Sequence, residues 1–276
     1  MLKFIRLSIA VIFVPRSLLF CAEEGHDISE VLFHHVLNSN TLSLFPGVPD
    51  IPLPFGITVH LLMLILASFI LIFLFVPSFR KPVLKVKGLR SALEALVLFV
   101  RDDIVYPVMG EERGEKWLPF FSTLFMFILM LNLLGLIPAF KSATGNINIT
   151  TALASMIMVL IFVIGLKNLG PIGFFKNMYP EGSPAAIGIF VLLLELVSTF
   201  IKSMVLSLRI FANMFAGHLA ILSFLVLIFI LSPFFAGISL PFSLFIYILE
   251  VLVAVIQALV FTLLSCIFIT MASSSH

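Results

Sequence analysis

Residues 185–232 run without a proline and carry almost no charge. At about 1.5 Å per residue a continuous helix of that length reaches roughly 70 Å, more than twice a hydrocarbon core of about 30 Å. A hairpin inside the stretch needs turn chemistry, and Gly188 and Gly217 alone supply little of it. The stretch therefore reads as one helix, strongly tilted, tilt being one way to accommodate excess length. Residues 242–272 are also overlong and are expected beside it, antiparallel, across a Ser232–Pro241 turn. Three further apolar runs are long enough to span: 57–76, which Pro77 is expected to close, and about 117–138 and 147–166, joined by a short polar turn from Lys141 to Asn146. The chain is 276 residues, 61% hydrophobic and 11% charged, which excludes a soluble domain of this size. The fold class is an all-α polytopic membrane protein with about five membrane helices, the last two long, tilted and paired as a hairpin.

Charge distribution orients it. Of the 16 Lys and Arg, eight fall within 77–116, whereas 23–56 has none and carries Glu23, Glu24, Asp27, Glu30 and Asp50. The positive-inside rule places 77–116 in the cytoplasm and 23–56 outside. With five spans the carboxyl end returns to the cytoplasm. In segment 88–109, Leu89, Leu93, Leu96, Val97, Val100 and Ile104 recur at helical spacing opposite Arg90, Glu94, Arg101 and Asp102, an amphipathic helix on the cytoplasmic surface. Loop 167–184, with Lys167, Lys176 and several prolines and glycines, suits a second cytoplasmic connection. Residues 1–22 read as a secretory signal or a retained anchor: Lys3 and Arg6 precede an apolar core that Pro15-Arg16 interrupts. Segment 23–56 is extracytoplasmic, its His34-His35 pair a surface feature, and 57–276 forms the membrane domain. Cys21 and Cys266, at opposite ends, make no case for a disulfide, and no metal-ligand spacing exists.

Arg209 lies within the long apolar stretch, and its nearest ionisable neighbours in sequence, Lys202 and His218, are both basic. A mid-membrane arginine costs about 2.5–3.5 kcal/mol on insertion scales and cannot shed its proton. A carboxylate or a water-filled cavity must reach it from another helix or another chain. At 100° per residue, Glu195, Ser198, Lys202, Arg209 and Asn213 fall within about 60° of one another, with His218 on the far side. Glu250 and Gln257 share a face of the last helix, and antiparallel pairing can bring Gln257 near Arg209 and Glu250 nearer His218. Plain readings stand beside these. Lys202 and Glu195 can snorkel to the interface; Asn132, Asn213 and Gln257 can be interhelical hydrogen bonders. His218 can be a satisfied buried histidine, and Glu250 the structural partner of Arg209. The sharper reading is a proton route, since a histidine and a buried carboxylate can both exchange protons at working pH. No phosphate loop, nucleophile elbow or nucleic-acid patch is present in the sequence, and no cofactor is expected.

The runs Asn132-Leu-Leu-Gly-Leu-Ile-Pro138, Asn146-Ile-Asn148-Ile-Thr150 and Leu208-Arg209-Ile-Phe-Ala-Asn213-Met-Phe-Ala-Gly217-His218 resemble subunit a of the F-type ATP synthase. So does the last helix, with Glu250, Gln257-Ala-Leu-Val-Phe261 and Met271-Ala272-Ser273. The resemblance covers about 57–273. It implies a non-catalytic, proton-translocating stator in a bacterial inner membrane, lying against a ring of c subunits. Further partners it implies are peripheral-stalk b subunits and the rest of the synthase. It assigns to Arg209 the separation of two aqueous half-channels, to Asn213 and Gln257 the polar positions near it, and to His218 and Glu250 the outer half-channel. In some members the acid and the histidine occupy these two positions in the reverse order. Glu195 and Lys202, with Ser198, match the cytoplasmic-side path; Asn132, Asn146 and Asn148 are further polar membrane candidates. Two other classes compete: a secondary transporter in which Arg209 binds an anionic substrate, and a structural anchor with an internal Arg209–Glu250 pair.

Overall fold

Lipid offers no hydrogen bonds to a peptide backbone, so an apolar span must close its own ladder, which an α-helix does. The computed structural model follows that rule along the chain. It describes residues 41–42, 51–52, 58–79, 88–137, 142–177, 185–230 and 236–273. The expected signal or anchor at 1–22 and the His34-His35 pair lie outside the described residues.

The helices are α1 (Val59–Phe79), α2 (Leu89–Phe99), α3 (Tyr106–Met109), α4 (Glu111–Leu136), α5 (Ile147–Asn177), α6 (Ala185–Ile230) and α7 (Ala236–Ser273), with a π-helical turn, Val100–Val105, between α2 and α3. Five segments are long and apolar enough to cross a membrane: α1, α4, Ile147–Asn168, Gly188–Ile221 and Pro241–Ser273. The protein is a helical, multi-pass membrane protein. One small departure from the all-α expectation lies before α1, where β1 (Thr41–Leu42) pairs antiparallel with β2 (Ile51–Pro52).

Four boundaries differ from the sequence reading. Pro77 does not close α1; it sits in the last turn, and the helix continues to Phe79. The amphipathic segment is not one regular α-helix. Its π turn sends the Tyr106 N–H to Arg101 O, five residues back, and buries Val100, Ile104 and Val105 together, while Leu89 is 60% exposed. Pro107, which has no N–H to give, follows directly. Loop 167–184 is helical as far as Asn177, interrupted at Gly170, whose φ of 70° only glycine adopts freely. Beyond it Phe174 turns back onto Gly165 and meets Phe162 edge-on. Finally, α7 starts inside the expected Ser232–Pro241 turn and takes Pro241 into its second turn.

The structure divides into two compact units. The first contains the described parts of 1–74 together with Phe127–Asn146 and Ile210–Gln257. Here Leu136, Met214 and Ala254 bury together, packed by Leu133, Tyr247 and Val251. Phe224 stacks on Phe242 at 5.7 Å. Contacts whose numbers rise on α6 and fall on α7 make this part of the pair antiparallel, as expected. The second unit contains Phe75–Met126, Ile147–Arg209 and the described part of 258–276. In it Phe99 meets Phe125, Trp117 packs on Phe120 and Phe121, and the Arg101 guanidinium lies over the Tyr106 ring at 5.7 Å.

Candidate functional site

In the second unit, small hydroxyls fix the back of α6. Ser207, 3% exposed, donates to Thr150 Oγ1 at 3.0 Å and shares a hydrogen bond with Thr151 Oγ1 at 3.1 Å. One turn earlier Ser203 donates to the Ala154 carbonyl at 3.2 Å. Arg209 follows Ser207 by two residues, about 200° around the helix. The bonds that tie α6 to α5 therefore aim Arg209 the other way, onto an exposed face with Ile201, Met204, Val205 and Leu208. Among the described residues it has no ion-pair or hydrogen-bond partner. Lys202 does have one: its Nζ stands 3.5 Å from Glu195 Oε1 and 5.9 Å over the Phe268 ring. Ser198, half-buried, lies on the same helix between Glu195 and Lys202.

The first unit holds the acid. Glu250 is 5% exposed, and neither carboxylate oxygen has a hydrogen-bond partner among the described residues. Opposite it on α6 stands Gly217, where a Cβ would come 2.5 Å from Glu250 Oε1 and 2.7 Å from its Cδ. The missing side chain is the space the carboxyl occupies. His218 comes next in sequence, and its Nε2 is also buried without a partner. The expected His218–Glu250 association is thus local but not a hydrogen bond: the carboxyl rests on Gly217. Asn132, fully buried, donates to the Ala254 carbonyl at 3.1 Å, one turn along α7 from Glu250, and its own Oδ1 has no partner. Gln257 Oε1 is likewise buried without one, and Asn213 is half-buried on α6. Asn146 closes the turn before α5 through its backbone N–H to Ala143 O, and Asn148 is exposed in the first turn of α5.

Unmet polar groups at this depth are costly in a dry interior. Here they fall on an acid, an imidazole and amides. The ATP synthase A chain family matches residues 60–270, which include every one of these groups. The chain belongs to that family. Relatives include an ATP synthase subunit a 2 of Chlorobium luteolum, 39% identical over 91% of this chain and 77% of its own length. Another is the ATP synthase subunit a of Pelodictyon phaeoclathratiforme, 37% identical over 97% and 83%. The Myxococcus xanthus ATP synthase subunit a is 40% identical over 82% and 76%.

A subunit a of the F-type ATP synthase is one component of a complex and not a catalyst alone. Three features of this chain escaped the sequence reading. The Ser207–Thr150–Thr151 knot left a trace in the spacing of Ser203 and Ser207, small polar residues on one face of an apolar helix. Gly217 was weighed only as a weak turn former and named within the motif, not as the place where a carboxyl rests. Ser243 on α7, whose buried Oγ has no hydrogen-bond partner among the described residues, carried no signal beyond being a hydroxyl in an apolar helix.

Proposed function

We propose that this chain is the ion-conducting stator of a bacterial ATP synthase, passing protons through two half-channels to and from carboxylates on a ring of c subunits. The observation that carries this reading is Arg209: a permanent cation on an exposed apolar face of α6, with no partner among the described residues. Such a group needs an anion from another chain, and a c-subunit carboxylate that approaches it is favoured in its ionised form and must release its proton there. Glu250 and His218, with Asn213 and Gln257 nearby in sequence and pattern, serve the outer half-channel. Glu195, Ser198 and Lys202 serve the cytoplasmic side. Residues 23–56 lie outside, the carboxyl end in the cytoplasm, and peripheral-stalk b subunits hold the chain against rotation. No sequence repeat supports the transporter.

Arg209→Ala tests the reading. In membrane vesicles carrying the synthase, the variant chain is expected to assemble, judged by native gels, while ATP-driven proton pumping falls to background. Retained pumping would overturn the proposal; loss of the assembled complex would return the anchor reading to favour, because removing one partner of a buried pair strands the other.

A further inference from the structure

Between its first turns and Glu250, α7 is inside out. Among the described side chains Ser239 (1% exposed), Ser243 (7%) and Glu250 are buried there, while Phe242, Leu244, Phe245, Ile248 and Leu249 are exposed. The three buried groups fall within about 40° of one another on the helix. Hydroxyls in apolar helices normally bond back to the carbonyl of the preceding turn, and further along this same helix they do. Thr262 donates to Ala258 O at 2.8 Å, Ser265 to Phe261 O at 2.7 Å and Thr270 to Cys266 O at 2.8 Å. Ser243 does not: its buried Oγ has no partner among the described residues. It shares that condition with both oxygens of Glu250 and with His218 Nε2, all in the same unit.

We infer that Ser243 is a positioning residue of the ion path, the next fixed polar station beyond Glu250 toward the α6–α7 turn, with Ser239 one turn further. This rests on the proton-conducting reading above. Seven residues separate Ser243 from Glu250, about 10 Å along the axis, a gap that roughly three hydrogen-bonded waters bridge. The Ser243 hydroxyl both donates and accepts, so it orders such a file without itself carrying a net charge. The competing role is a small residue that only lets helices approach closely.

Passive proton flux and ATP-driven pumping through the whole synthase in vesicles decide between them. Ser243→Ala keeps the small size and loses the hydroxyl; flux is expected to fall about fivefold, the worth of one hydrogen bond of about 1 kcal/mol. Ser243→Leu is expected to abolish it in an assembled complex, and Ser243→Asn to restore most of it. With Cys21 and Cys266 replaced by serine, Ser243→Cys is expected to conduct and to be blocked by Ag⁺, which reaches a thiol through water. Wild-type flux in both the Ala and Leu variants, or a Cys variant indifferent to Ag⁺, would overturn the inference. Glu250→Gln run in parallel separates the two levels: if it conducts normally, the underlying proton reading fails. If it is blocked while Ser243→Ala and Ser243→Leu conduct at the wild-type rate, this inference alone fails.

Discussion

Arg209 and Glu250 are both ionisable groups in apolar helices, and neither has a partner among the described residues, yet they are presented in opposite ways. Arg209 is exposed on a face of Ile201, Met204, Val205 and Leu208, turned outward by hydroxyl bonds on the reverse side of α6. Glu250 is buried, in a space made by an absent side chain at Gly217. An exposed cation in lipid can be answered only by something that arrives from outside the chain. A buried acid can be answered by water or a proton from within. On the proposed function, orientation, more than residue type, would separate a group that meets a partner from one that feeds it.

The sharpest way to break that contrast is Glu250→Gln, which keeps shape and polarity but cannot carry a proton. Proton pumping is expected to fall at least a hundredfold, the low end for losing a positioned proton-transfer group, with assembly retained on native gels. Normal pumping would reduce Glu250 to packing. Gly217→Ala should come next: the added carbon meets the carboxyl, an overpacking of about 1–3 kcal/mol, read as a lower melting temperature and slower pumping. Glu250→Ala in the same chain should recover the melting temperature and leave pumping lost; failure of that recovery would place the clash elsewhere. Asn132→Leu removes the bond to Ala254 O and should cost about 0.6 kcal/mol, typical for an interhelical hydrogen bond in a membrane, with a small drop in thermal stability.

The smallest effect belongs outside the membrane. Arg101 donates to Asp102 at 2.7 Å, and that bond holds the Asp102 carboxyl below its ordinary range, although both groups are solvent-exposed. A lowered carboxyl value stabilises the folded state above the unfolded value, about 3.9. The contribution is lost as pH falls through the lower folded value. Melting temperatures of wild type and Asp102→Asn should therefore differ slightly at pH 6 and converge under acid; a gap that widens toward acid would contradict the sign.

How much of this could be read in the residues depends on whether a feature is local to one helix. The length of α6 and the isolation of Arg209 were legible, since absent prolines and charges are one-helix properties. Glu250 as a lone membrane carboxylate was legible for the same reason. Its seat on Gly217 was not, because that requires the register between two helices, and a one-residue slip turns a side chain by about 100°. The Ser207 knot was hidden because a hydroxyl's partner on a neighbouring helix leaves no mark that its own helix could not equally supply. The π turn at Val100–Val105 escaped a reading that assumed one constant period, and Gly170 looked like the start of a loop when it is a hinge between two helical pieces.

The side chains around Arg209 have a mechanical consequence. Ile201, Met204, Val205 and Leu208 offer a neighbour dispersion contacts and no hydrogen bonds. Dispersion has little directional preference, so a surface gliding across this face climbs only shallow ripples of energy and breaks no bonds as it goes. Under the proposed function, friction would stay low, and the guanidinium would stand in that slick track as a detent, catching each passing charge for as long as the charge remains.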